Sequence, residues 1–319
     1  MRTAIVPGLE DLDPLAFTHR AHRMGGALGV DLCLQRDDLL PVPFAGNKWI
    51  KLAGIVESAE GGAVYVTNGG IHSNHCKATA LWAAHHGHRC HLVLHGERGG
   101  DRELSLDILR RAGATFDIVP PTEIAETIAA AVDRAHADGR EAVVIPGGGH
   151  SPEGILAYSE YARPVLREVV PDVVVHASGT GGTQAGILHA TDQLSLTKTR
   201  VIGISVARPA ERGRRVVVDA LRGVGAVGAG VDFRDEHMGM GYGIPTPEAV
   251  ESVRWAAQYG LMLDTTYTGK AFAGLQEMIR TGEIERGSTV LFWHTGGGYL
   301  AALGGPTAAH EGEPRGAIA

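Results

Sequence analysis

Lys48 stands in the stretch Pro43-Phe44-Ala45-Gly46-Asn47-Lys48-Trp49-Ile50-Lys51-Leu52, in a chain with only five lysines against 24 arginines. A lysine kept among apolar and glycine neighbours, where arginine serves elsewhere as the general cation, points to amine chemistry. Desolvation lowers its pKa and frees the neutral amine to attack a carbonyl, which a guanidinium does not do. A solvated charge beside a helix start is the simpler reading, and this segment alone leaves both open. Two further segments carry complementary chemistry. Ser178-Gly179-Thr180-Gly181-Gly182-Thr183 follows a β-branched run and opens a helix, so its free N–H groups, hydroxyls and helix dipole can hold a phosphate. Its glycine spacing fits neither GxGxxG nor a Walker loop, and the next strand ends in Ala207-Arg208 rather than an acidic residue, which counts against nicotinamide binding. A structural turn without a ligand is the other alternative. In Gly69-Gly70-Ile71-His72-Ser73-Asn74-His75-Cys76-Lys77, Ser73 or Asn74 can cap a helix, and the same groups can orient a ring hydroxyl and a substrate carboxylate.

These segments need a scaffold that brings them together. Short β-branched runs alternate with longer helical patterns, the signature of βαβ units and a parallel sheet in an α/β protein. Strands are predicted at Ala63 to Val66, His91 to Leu94, Thr115 to Val119, Ala142 to Ile145, Asp172 to His176, Val201 to Val206 and Thr289 to Trp293. Helices are predicted near 75–86, 103–112, 122–138, 153–169, 183–193, 247–259 and 269–281. Ile124, Ile128, Ala131 and Ala135 give helix 122–138 one buried stripe. Four strands run into glycine-rich loops, ending at Gly70, Gly149, Gly182 and Gly298. In an open α/β sheet, loops at the carboxyl ends of the strands form the ligand crevice, and glycine lets backbone approach the ligand closely. Four such loops imply one substantial anionic or planar ligand. The segment from Gly304 to the end lacks periodicity and reads as a disordered tail.

Composition bounds the function. The chain has 319 residues, 44% of them hydrophobic, enough for a large core and two modest domains. A net charge of −7 and the lack of a basic run argue against nucleic acid or anionic lipid and favour a small-molecule partner. Cys33, Cys76 and Cys90 are too few and scattered for a disulfide framework. With no signal-peptide pattern and no apolar run of ~20 residues, a cytoplasmic protein is expected. His85, His86, His88, His91 and His95 suggest a metal at first sight, but they straddle a helix end and a strand start, so no metal site is expected and a helix-end cap is the plainer account. Cys76 reads as a buried small hydrophobe, and Arg212-Gly213-Arg214-Arg215 as a solvated or intersubunit cluster that could also attract anions.

GNKWIKL around Lys48, GGIHSNH at 69–75, SGTGGTQAG at 178–186, GYGIP at 241–245, YTGKAFAGL at 267–275 and HTGG at 294–297 occur in one order over nearly the whole chain. Together they resemble the fold type II pyridoxal-phosphate enzymes of the D-cysteine desulfhydrase and 1-aminocyclopropane-1-carboxylate deaminase group. The resemblance implies two open, twisted, mostly parallel sheets with flanking helices, similar to the tryptophan synthase β-subunit, with pyridoxal 5'-phosphate between two domains. It implies a larger cofactor-binding domain of residues 1–47 and 163–303, a smaller domain of residues 48–162, and a homodimer. Lys48 matches the lysine that forms the internal aldimine and later moves protons at the substrate. Asn74 matches the asparagine on the cofactor's ring oxygen, and Ser73 the serine near the substrate carboxylate and reacting carbon. Gly179, Thr180, Gly181, Gly182 and Thr183 match the phosphate cradle, Thr295 the hydroxyl facing the pyridine nitrogen, and Tyr242 and Tyr267 the two active-site tyrosines.

Within this group, deaminases carry glutamate after the second tyrosine and glutamine after the Ser-Asn pair; here those positions hold Thr268 and His75. The resemblance therefore implies a lyase that eliminates the β-substituent of an amino acid, with D-cysteine the leading substrate and pyruvate, ammonia and sulfide as products. His72 in place of the usual glutamine, Lys77 in place of a common arginine, and the lead-in Pro41-Val42-Pro43-Phe44 depart from the pattern. His72 and His75 join Ser73 and Asn74 as expected substrate contacts. Deamination of the cyclopropane substrate, elimination or replacement on another specialised amino acid, and a non-catalytic paralogue that binds cofactor or amino acid all stay open.

Overall fold

The computed structural model describes residues 12–40, 46–56, 62–96, 102–228 and 230–297. The predicted tail from residue 304, Pro41 to Phe44 and Gly298 lie outside the described residues.

The strongest apolar runs become the centre of a six-stranded sheet. Its strands lie in the order β1 (Thr18–Arg20), β2 (Asp31–Arg36), β10 (Thr289–His294), β7 (Val173–Ser178), β8 (Arg200–Ser205) and β9 (Asp232–Arg234). Only β1 and β2 pair antiparallel; the rest run parallel, with Val290 beside Val173 and Val173 beside Arg200. β7 is buried at every position, as expected of a parallel strand covered by helices on both faces. The second sheet is wholly parallel, in the order β5 (Thr115–Ile118), β4 (Arg89–His95), β3 (Val64–Gly70) and β6 (Ala142–Val144).

Ten helices flank the two sheets among the described residues: α1 (His22–Leu28), α2 (Asn47–Ile55), α3 (Asn74–His86), α4 (Arg102–Arg111), α5 (Ile124–Ala137), α6 (Pro152–Val169), α7 (Gly182–Gln193), α8 (Ala210–Gly223), α9 (Pro247–Ala257) and α10 (Thr268–Arg280). Ala131 and Ala135 of α5 are buried and Ile124 and Ile128 partly so, which is the predicted stripe. Trp49, Leu52, Tyr65, Cys76 and Leu92 share the core of the smaller sheet, while Leu34, Val175, Ile202, Phe272 and Phe292 share that of the larger.

Every predicted strand and helix is present with ends shifted by a few residues, and six elements go beyond the prediction. Those are β1, β2, β9, α1, α2 and α8. α2 matters most here because it carries Lys48. It is only nine residues long and contains Gly54, a residue that weakens a helix. Gly54 is needed because a Cβ there would lie 2.6 Å from Ala157 Cβ and 2.7 Å from Glu153 O of α6.

Candidate active site

A cavity of about 530 Å³ collects the carboxyl ends of β3, β7 and β10 and the starts of α2, α3 and α7. Lys48, Ser73, Asn74, His75, Gly179, Thr180, Gly181, Thr183, Tyr242, Tyr267 and Thr295 all line it. Gly182 is the first residue of α7, directly behind that lining. His72 is elsewhere: it is exposed, and its Nδ1 lies 3.1 Å from Ser105 Oγ.

Lys48 is positioned by the turn before it. Gly46 has φ +46°, and a Cβ there would lie 2.4 Å from Thr295 O, so only glycine lets the start of α2 approach the end of β10. Asn47 N–H donates to Thr295 O at 3.1 Å, and Asn47 Nδ2 donates to Thr183 Oγ1 at 2.9 Å. The two ties bind the lysine turn to both neighbouring loops. Burial lowers the Lys48 ammonium to about 8. Lys51, one helical turn on, is almost fully buried, donates to Gly148 O at 3.4 Å and is held well below the usual lysine range by burial and by the charge of Lys48. Among the described lining residues there is no aspartate or glutamate. Lys48, Lys51, Arg208 and Arg212 thus line a cavity suited to an anionic ligand.

The glycine loop supplies the seat for that anion. β7 ends at Ser178, Gly181 takes φ +85°, and α7 starts at Gly182, leaving the N–H groups of its first turn free of helical partners. Arg208 Nη1 donates to Gly179 O, which fixes the loop from the outside. Ser178 Oγ donates to Gln184 Oε1 at 3.0 Å, and Gln184 Nε2 donates to Asp232 O at 2.7 Å, locking the first turn of α7 to β9.

On the opposite wall, Ser73 caps α3 by accepting from Cys76 N–H at 3.3 Å, as its position predicts. Gly69 is required, since a Cβ would lie 2.8 Å from both Cys76 Sγ and Ser73 Oγ. Lys77 Nζ donates to His72 O at 2.8 Å and closes the same turn. Thr67 Oγ1 donates to Ile145 O at 2.7 Å, so His75 Nε2–H must be the donor in its 2.9 Å bond to Thr67 Oγ1. His75 Nδ1 is then a buried acceptor without a protein partner. Burial, with Lys48 and Lys51 nearby, lowers His75 to about 3, so the ring is neutral.

The remaining wall comes from β10 and α10. His294 accepts from Gly296 N–H at Nδ1, 3.2 Å, so its Nε2–H donates to Met262 O at 2.8 Å, and the turn bearing Thr295 is fixed. Tyr267 caps α10, and Asp264 holds it there: Oδ1 accepts from Thr266 N–H at 2.8 Å and Tyr267 N–H at 2.6 Å. The Tyr267 and Tyr242 hydroxyls lie 2.5 Å apart, and burial raises both phenols.

Lys51, Asn47 and Asp264 belong to this site or its frame without having been singled out from the sequence, while His95 and Arg208 were noted there for other reasons. Lys51 was visible in principle, as a second scarce lysine one turn after Lys48. The histidine run disperses: His86 Nδ1 bonds Trp82 O at 2.9 Å, His88 packs on Tyr65, His91 pairs with Asp117, and only His95 lines the cavity. Among the described residues no group of three or more His, Cys, Asp or Glu converges as a metal site. Cys76 is fully buried, and burial pushes its thiol up to about 11. Arg212, read from sequence as surface charge, reaches the cavity from α8.

Residues 14–296 match the family model described as pyridoxal-phosphate dependent enzyme. The chain is 34% identical over 296 residues to the D-cysteine desulfhydrases of Salmonella choleraesuis (strain SC-B67) and Salmonella typhi, covering 86% of this chain and 89% of each relative. The solved structure of a 1-aminocyclopropane-1-carboxylate (ACC) deaminase homologue superposes with a TM-score of 0.77 at 28% identity, covering 95% of this chain and 97% of that one. Threonine deaminase isoform 2 from Solanum lycopersicum shares the fold, with a TM-score of 0.65 at 16% identity over 87% of this chain and 78% of its own.

Proposed function

The chain belongs to the pyridoxal-phosphate-dependent enzymes, and from that premise we propose that its cavity is the active site of a D-cysteine desulfhydrase-like lyase. The observation that carries this reading is a desolvated Lys48 facing a glycine and hydroxyl cradle at the start of α7, with no carboxylate among the described lining residues.

The residues present fit the cofactor. Gly179, Thr180, Gly181, Gly182 and Thr183 would hold the phosphate, with the Lys51 amine beside Gly182 donating to it. Asn74 would meet the ring oxygen, Thr295 the ring nitrogen, and Lys48 the carbonyl carbon. When bound, pyridoxal phosphate supplies an electron-withdrawing ring that acidifies the substrate α-carbon. Lys48, with its ammonium lowered to about 8, would take the α-proton. Ser73 and the N-terminus of α3 would receive the substrate carboxylate. His75 is neutral, so it would border the substrate without adding charge to the cavity. Tyr242 and Tyr267 would face the leaving group and keep water from it. The Cα–H and Cβ–S bonds break, sulfide leaves with the electron pair, and hydrolysis of aminoacrylate gives pyruvate and ammonia.

Deamination of the cyclopropane substrate is the second reading, favoured by the superposition on an ACC deaminase homologue. Thr268 and His75 favour the first. Within the first, residues 1–47 with 163–303 would form the larger, cofactor-binding unit and 48–162 the smaller. The acidic net charge and three buried, unpaired cysteines support a cytoplasmic protein without nucleic-acid or membrane partners, and the family resemblance supports a homodimer.

The test is a keto-acid and sulfide assay of the cofactor-loaded protein with D- and L-cysteine, cysteate, β-chloroalanine and the cyclopropane substrate. Pyruvate and sulfide from D-cysteine, lost in Lys48→Ala, is the expected result. 2-Oxobutyrate from the cyclopropane substrate alone would replace the first reading with the second, and cofactor binding without turnover of any of them would leave a binder.

A further inference from the structure

Tyr242 sits on a loop with little to hold it. Between β9 and α9, Gly239, Gly241 and Gly243 take φ +63°, +120° and +76°, values that glycine adopts without strain. Inside this stretch the backbone bonds are Met238 N–H to Asp235 O at 3.0 Å and a long Ile244 N–H to Gly241 O at 3.4 Å. Met240 is 87% exposed and Ile244 45%. Tyr242 borders the active-site cavity, while Glu236, His237, Gly239 and Thr246 line a separate cavity of about 720 Å³. The loop is therefore flanked by open volume on two sides.

One side chain spans the gap. Lys270, fully buried in the first turn of α10, donates from Nζ to Met238 O at 2.8 Å and to Gly241 O at 2.9 Å. Gly241 precedes Tyr242 in the chain, and Tyr267 lies one residue before α10, three before Lys270. The same helix start thus presents Tyr267 directly and grips the backbone that presents Tyr242.

We propose that Lys270 is a positioning residue for the reaction: by holding the Met238 and Gly241 carbonyls it fixes Tyr242 against Tyr267 and sets the geometry of the tyrosine pair. The proposal deepens the lyase reading above and rests on it for the role of Tyr242. A lysine suits the task because its compact ammonium has three donors and no acceptor, matching two converging carbonyls.

The experiment compares cofactor-loaded wild type, K270M, K270R, Y242F and K270M/Y242F by D-cysteine turnover, with hydrogen exchange of the peptide spanning 238–244. K270M should speed exchange of that peptide by about tenfold or more while most other peptides keep their protection. It should lower kcat by about the same factor as Y242F, and the double variant should be no worse than the poorer single, because both act through one contact. K270R, which can donate to both carbonyls, should restore protection and most of the turnover. K270Q supplies the same comparison if K270M does not fold. Unchanged exchange at 238–244, or losses that multiply in the double variant, would overturn the proposal. If Y242F turns over at the wild-type rate, the role assigned to Tyr242 falls, and the exchange data alone then judge whether Lys270 holds the loop.

Discussion

Thr268 Oγ1 donates to Asp264 Oδ2 at 2.8 Å and accepts from the Asp264 backbone N–H at 2.9 Å, with Thr268 fully buried. Thr268, one of the two residues that separate the activities by sequence resemblance, is thus part of the frame under Tyr267, outside the lining of the cavity. A glutamate there would bring a second carboxylate against Asp264 away from water. T268E is expected to cost about 3 kcal/mol or more, the scale of an uncompensated buried charge, seen as a lower urea midpoint. T268V, which loses the reciprocal bonds without adding charge, should cost about 1–2 kcal/mol. Equal midpoints for T268E and wild type would show that the Asp264 frame yields to accommodate glutamate.

Cofactor capture should follow the Lys48 amine. Only the neutral form attacks a carbonyl, and burial lowers this ammonium to about 8. The rate at which stripped protein takes up pyridoxal phosphate, followed by visible absorbance, should rise about tenfold per pH unit below 8 and level off above it. K48A should show no such absorbance band at any pH. A capture rate still climbing steeply at pH 10 would mean that Lys48 titrates like a solvated lysine.

A buried carboxylate outside the cavity lining should shape stability against pH. Asp37 accepts from Tyr158 Oη at 2.6 Å, Trp293 Nε1 at 3.0 Å, Tyr161 Oη at 3.1 Å and Gln35 Nε2 at 3.4 Å. Burial outweighs these donors and raises it to about 7. In the unfolded chain an aspartate titrates near ~4. Between these values the unfolded state loses its proton while the folded state keeps it, so this group's contribution is full below pH 4, declines as pH rises and is gone above 7. His75, lowered to about 3, acts oppositely in acid, because folding excludes its charged form and stability falls as pH drops below its ordinary range. The difference in unfolding free energy between wild type and D37N isolates the first effect. It should shift by a few kcal/mol between pH 4 and 7, and a flat difference would show that Asp37 stays ionised throughout.

How far the sequence reveals this molecule depends on where each residue's partner lies. Val173 to Ser178 and Thr289 to His294 are buried strands of a parallel sheet, so their apolar runs announce them. β2, with Asp31, Gln35 and Arg36 among its six residues, does not, because the partners that satisfy its polar groups are not evident from the chain: Gln35 bonds Thr18 and, 126 residues on, Tyr161, and only Arg36 pairs nearby, with Asp38. α8 buries Gly213, Val217, Ala220 and Leu221 on one face, a helical stripe that the succession Val216, Val217 and Val218 disguises as a strand-like run. The scarcity of lysine proved more informative than its use for Lys48 alone. Lys51, Lys77 and Lys270 are buried and donate to backbone carbonyls, Lys48 lines the cavity, and only Lys198 is exposed. What sequence could not supply is the identity of those carbonyls, since a backbone oxygen carries no signature. Met238 O and Gly241 O lie 32 and 29 residues before the lysine that holds them. His72 lies outside the cavity lining for a related reason: adjacency to Ser73 in the chain said nothing of the turn that sends its ring to Ser105.

The approach of Gly46 to Thr295 gives the most local test of the site's architecture. A methyl at residue 46 meets Thr295 O at 2.4 Å and the Gly296 Cα at 2.9 Å, both backbone atoms that cannot rotate away, while φ +46° is itself unfavourable for alanine. G46A should therefore cost about 2 kcal/mol or more and separate α2 from the end of β10, breaking the Asn47 bond to Thr295. Because Lys48 and Thr295 would grip opposite parts of the cofactor, affinity for pyridoxal phosphate should fall further than stability alone requires. G54A supplies the comparison, since its clash is with α6 near the other end of α2. It should destabilise α2 as well, yet leave the turn at residues 46 and 47 on Thr295. Titration of cofactor fluorescence at a temperature where both variants are folded separates the two effects. Equal affinities for G46A and G54A would mean that the contact between α2 and β10 does not set the spacing of Lys48 and Thr295.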